Sequence, residues 1–71
     1  MSSWPTAKAK RVKEALFRIG WIKIRQRASS HMILQHPSYG IYVWAFHDSE
    51  EIGPRMLARI AKKTGLTIED L

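Results

Sequence analysis

Apolar residues recur along the chain with a spacing that changes from segment to segment. Val12, Ala15, Leu16 and Ile19 stand at i, i+3, i+4 and i+7, which lines one stripe of an α-helix. Pro5 suits the first turn of that helix and Gly20 its stop, with Met1 to Trp4 as a frayed end. Its polar side holds Lys8, Lys10, Arg11, Lys13 and Arg18, countered only by Glu14. From Trp21 to Arg27 the period drops to two, with Ile22 and Ile24 on one side and Lys23, Arg25 and Arg27 on the other, which predicts a strand with a cationic face. Ala28, Ser29 and Ser30 form a turn. His31 to His36 is a second strand, in which Met32 and Leu34 alternate with His31, Ile33 and Gln35.

Pro37-Ser38-Tyr39-Gly40 is turn chemistry, and the β-branched and aromatic run Ile41 to Phe46 is a third strand. His47 to Glu51 reads as a loop. Pro54 opens a second helix whose inward stripe is Leu57, Ile60, Ala61 and Thr64, with Gly65 as its end. Thr67 and Asp70 predict one further capped turn. The predicted order is α-β-β-β-α, a two-layer α+β domain with a three-stranded antiparallel sheet and two helices on one face. This is the order of the double-stranded-RNA-binding fold.

A chain of 71 residues supports one core, so residues 1–71 are expected to form a single domain. Trp21 and Trp44, at strand positions, are expected in that core rather than as platforms for bases, and Met32 and Met56 as its fillers. The absence of cysteine excludes a disulfide framework and a thiolate nucleophile, and three scattered histidines do not make a structural zinc site. Neither metal nor cofactor is expected. The longest apolar run, Ile41 to Phe46, is far short of the roughly 20 residues that cross a bilayer, and the first residues lack a signal-type apolar core. A soluble, cytoplasmic protein with no membrane partner is expected. The net charge of +6 is uneven: residues 1–36 hold eight Lys/Arg against Glu14, and residues 37–71 hold four against five carboxylates. Such a basic half attracts a polyanion, nucleic acid above all; the plain alternative is a solvated basic surface.

Gly20-Trp21, Arg25-Gln26, Ser30-His31, His36-Pro37, His47, Glu51-Ile52, Leu57, Ile60, Gly65-Leu66 and Glu69-Asp70-Leu71 resemble, in order and spacing, the HicA (YcfA-like) toxins over about residues 8–71. The resemblance implies a small mRNA-cleaving toxin of a type II toxin–antitoxin pair, neutralised by a HicB-like antitoxin, with the double-stranded-RNA-binding type of fold. The chain departs from the family pattern at Ser29, where Gly is usual, at Ala45, where Pro is frequent, and at Gly53-Pro54-Arg55, where the last helix begins. None of these removes a candidate catalytic group.

The family's functional histidine falls on His31. RNA is cut without a metal when a base takes the 2′-hydroxyl proton, cations stabilise the phosphorane and an acid protonates the leaving oxygen, and imidazole suits such proton transfers near neutral pH. Lys23, Arg25 and Arg27 on the neighbouring strand are expected to hold phosphate, and Lys10 and Lys13 on the first helix to position RNA without reading its bases. His47 is a candidate second acid or base, with a loop-capping role as its alternative; His36 reads as a surface turn residue. The rival to an endoribonuclease is a non-catalytic RNA-binding or antitoxin-binding module of the same fold. A DNA-binding regulator is a third reading, and the chain lacks a helix-turn-helix pattern.

Overall fold

The computed structural model describes residues 3–71; Met1 and Ser2, part of the expected frayed end, lie outside them. Its elements run β1 (Ala7–Lys8), α1 (Ala9–Arg18), β2 (Ile22–Ala28), β3 (His31–His36), β4 (Gly40–Trp44), β5 (Glu51–Ile52) and α2 (Pro54–Thr64), with a closing 3-10 turn at Ile68–Asp70. β2, β3 and β4 form the antiparallel meander, and the architecture is α+β with two helices, as the spacing predicts.

α1 starts four residues later than Pro5 suggests. Ala7 and Lys8 are drawn into a short antiparallel ladder with Ile52 and Glu51. The helix has no side-chain cap; instead the N–H groups of Ala9 and Lys10 donate to the carbonyls of Glu50 and Asp48, at 2.8 and 3.1 Å. The segment read as a loop thus satisfies donors that every helix start leaves free. α2 begins as expected, with Pro54 in its first turn, and ends at Gly65 in the left-handed region (φ 79°). Thr67 and Asp70 cap the closing turn reciprocally.

The core lies between the helices and one face of the meander. Val12, Ala15 and Leu16 from α1 meet Met32 and Leu34 from β3, Trp44 from β4, and Leu57 and Ile60 from α2. Trp4, expected in the frayed end, packs partly buried against this cluster. Met56 is a correction: it stands on the exposed side of α2 rather than filling the core. Trp21 is 1% exposed, and its Nε1 donates to the carbonyl of Thr64 at 3.0 Å. Both tryptophans at strand positions are therefore core residues, closed to base stacking.

His36 is a second correction. Its ring is partly buried against Trp21 and Tyr39, with Nδ1 accepting from the Ser38 N–H (3.0 Å) and Nε2 donating to the carbonyl of Ile19 (2.9 Å). One ring nitrogen accepts and the other donates, which is the inventory of a neutral imidazole. Proximity in space, invisible in the turn sequence, makes it a pin between the meander and the end of α1.

The aromatic cluster leaves no room at Gly65, where an added Cβ falls on the Tyr39 phenol. Gly65→Ala combines left-handed backbone strain with overpacking, together about 2–4 kcal/mol. Thermal unfolding followed by circular dichroism is expected to show a Tm lowered by roughly 10 °C or more; an unchanged Tm contradicts the packing described.

Candidate active site

His31 is the first residue after a two-residue turn, Ser29-Ser30, closed by the Ala28–His31 pair. Two-residue hairpins favour turns with left-handed residues, because the ordinary turn types splay the strands. Among the described residues only glycines take positive φ, so neither serine does. The mismatch is taken up in β2, where register shifts between Lys23 and Arg25 and between Gln26 and Ala28 leave Ile24 and Arg27 as extra residues. Ser29 therefore occupies its position without needing the backbone freedom that the family's glycine offers.

These bulges also break the alternation expected of β2, and all seven of its residues are exposed. Partners across the ladder share a face, so the register assigns each side chain. Met32 and Leu34 enter the core, while His31, Ile33 and Gln35 point to the open face. Ile22, Gln35 and Ile41 form one row of that face, and Arg25, Ile33 and Val43 the next. Arg25 is thereby a diagonal neighbour of His31, within the reach of a long side chain. Lys23 stands opposite Leu34, on the other side of the strand, and Arg27 sits at the bulge beside the turn. The expectation that all three cations share one face is thus corrected: only Arg25 is placed with His31 by the regular ladder.

The His31 ring is exposed, yet its surroundings are ordered. Ser30 is only 8% exposed, with its Oγ 3.4 Å from His31 Nδ1. The side-chain amide of Gln26 donates to the carbonyls of Ala28 and His31, and its oxygen accepts from Lys23 Nζ at 3.1 Å. The Gln26 contacts were hidden in sequence because they depend on the bulges; the pairing of Ser30 with His31 in one short motif was the available signal.

Most of the cationic side of α1 is turned to internal use. Lys13 pairs with Asp48 at 2.8 Å, Lys8 with Glu51 at 3.6 Å, and Arg11 and Arg18 donate to the carbonyls of Leu71 and Asp70. The hydrogen bond from Lys13, with the charges of Lys13 and Lys10, holds the Asp48 carboxyl below its usual range. With its folded pKa lowered, this contact is present at neutral pH and lost as pH falls through the carboxylate range. Lys10 is exposed. His47 follows β4 at the same end of the sheet as the Ser29-Ser30 turn, its main-chain N–H donating to Glu50 Oε2 at 2.6 Å and its carbonyl accepting from the Glu50 N–H. Burial pushes the Tyr42 phenol above its ordinary value, so it keeps its proton at neutral pH. No group of three His, Cys, Asp or Glu side chains converges among the described residues, and no helix there is long and apolar enough to cross a membrane.

The family model described as "HicA toxin of bacterial toxin-antitoxin" matches residues 9–66 of the chain. The chain belongs to the HicA toxin family. The match runs from the first residue of α1 to the residue after Gly65, and so takes in the whole meander and His31. No curated protein gives a significant match. Membership places this HicA-family chain in a toxin–antitoxin system and implies an antitoxin partner.

Because Ser29 already has negative φ, restoring the family's glycine relieves no strain and adds unfolded-state freedom. Ser29→Gly is expected to lower stability by about 0.4–1 kcal/mol in urea titrations; a gain of that size instead means that the turn is strained.

Proposed function

We propose that this HicA-family chain is a metal-independent endoribonuclease toxin acting on mRNA in the cytoplasm as a single toxin domain, with His31 as its catalytic residue. The observation that carries the reading is the exposed His31 ring on the open face of the sheet, within the segment that the family model matches, with Arg25 diagonal to it. In this mechanism His31 takes the proton of a 2′-hydroxyl, the 2′-oxygen bonds to phosphorus, and the bond from phosphorus to the 5′-oxygen breaks. The 5′-oxygen leaves with a proton from an acid, for which His47 is the candidate. Arg25 offers a bidentate contact to the phosphate, and Lys23 and Arg27 extend the cationic edge along the strand. Lys10 and Lys13 serve the RNA backbone farther out, Lys13 after exchanging Asp48 for phosphate.

A HicB-type antitoxin is the proposed protein partner. Ile22, Ile41 and Val43 are each more than half exposed on the face that carries His31 (58%, 55% and 55%). Branched aliphatic groups neither stack on bases nor bind phosphate, so a protein partner is the better occupant for them. The same feature favours the second reading, a non-catalytic module that binds RNA or the antitoxin with this fold.

Cleavage of RNA in EDTA separates the two. The native protein is expected to cut and His31→Ala to lose about 10²–10⁴-fold in rate; intact RNA with both proteins sinks the enzyme reading. Arg25→Ala is expected to weaken RNA binding and to lower the slope of log K against log salt by about one. An unchanged slope removes Arg25 from the phosphate contacts.

A further inference from the structure

We propose that Gln26 is a positioning residue for His31, holding the main chain of the turn in place so that the imidazole stays aimed at its proton. The inference rests on reading His31 as the catalytic group.

Gln26 lies with Arg25 between the two bulges of β2, where the ladder is interrupted on both sides. Bulges leave main-chain groups without their ladder partners. The Gln26 amide bridges the turn beside the second bulge: its nitrogen donates to the carbonyl of Ala28 before the turn and to that of His31 after it, the latter at 3.3 Å. A primary amide has two N–H donors, and both are used across the same turn. Its oxygen takes the Lys23 ammonium at 3.1 Å. The orientation of the amide is dictated by its partners, because carbonyls only accept and an ammonium only donates. Exchanging the amide's nitrogen and oxygen breaks all three contacts.

Ser30 carries the effect from main chain to ring. It is nearly buried, and Nδ1 of His31 is the hydrogen-bond partner of its hydroxyl among the described residues. With Nδ1 held, Nε2 is the nitrogen left for the substrate, and a shift of the turn becomes a shift of Nε2. Gln26 thus ties the Lys23 ammonium to the backbone of the residue proposed to move the proton. Displacement of a reacting group by about 1 Å can cost roughly 100-fold in rate, so a contact outside the chemistry has leverage here.

Gln26→Glu is the discriminating variant. A carboxylate of the same length still accepts from Lys23 but has no N–H for the two carbonyls. The variant is compared with the native protein and with Gln26→Ala in three measurements: steady-state cleavage of a defined RNA, His31 ring resonances by NMR, and thermal unfolding. The expected result for both variants is a kcat lowered about 10- to 100-fold with KM within about twofold. The His31 ring resonances move, while Tm changes by only a few degrees. A Gln26→Glu protein with native kcat, or with unmoved His31 ring resonances, overturns the proposal. If the native protein cuts no RNA, the catalytic reading of His31 fails by itself, and the ring resonances still decide whether Gln26 positions the imidazole.

Discussion

The bond from the Trp21 indole to the carbonyl of Thr64 is the contact on which the placement of the meander depends. Thr64 is the last residue of α2, where carbonyls have no partner within the helix, and Trp21 stands just before β2. One buried hydrogen bond, worth about 1 kcal/mol net but costly to leave unmade, therefore seats the first long strand on the second helix. His36, Tyr39 and Tyr42 pack around the same indole and draw in the turn between β3 and β4. The Thr64 hydroxyl is satisfied by the carbonyl of Ile60, so this end of the core closes without an unpaired group there.

With that end anchored, the opposite end of the sheet is free to serve as a working surface. A chain of this size has helices for only one face of a three-stranded sheet, and the other face remains open. The result is an unusual mixture on that face: aliphatic side chains from β2 and β4, a guanidinium, and an imidazole beside the turn. A purely structural surface gains nothing from exposing three branched hydrophobes. The guanidinium suits the polyanion, and the aliphatic groups the protein partner, of the proposed function.

Charge in the chain is divided rather than pooled. The carboxylates of Glu51 and Asp48 pair with Lys8 and Lys13, main-chain oxygens of the last residues engage Arg11 and Arg18, and loop carbonyls close the start of α1. These exposed ion pairs contribute little to stability individually. Their larger effect is on where positive charge stays available: along β2, next to His31, more than along the helix.

The periodic elements were legible because burial of one face imposes a period on the residues that make it. Val12, Leu16, Leu57 and Ile60 announce two helices, and Met32 and Leu34 announce the buried side of β3. Ser30-His31 was legible as a motif. The direction of Lys23 and Arg27 was not, since a bulge changes which side a residue faces and leaves no mark in an exposed strand. Likewise, the carboxylate that ties up Lys13 lies 35 residues away, and the distant residues that hold His36, Ile19 and Trp21, come from the link between α1 and β2.

By itself, then, the amino-acid sequence determined the number and type of the main elements, their order and the core-facing stripes, all of which follow from local spacing and residue chemistry; His31 stood out through the resemblance to the family. The tertiary structure alone decided the rest: which cations remain free, which side chains share the open face with His31, and which groups hold its turn. Those outcomes depend on register and on contacts between distant segments, and no local pattern encodes them.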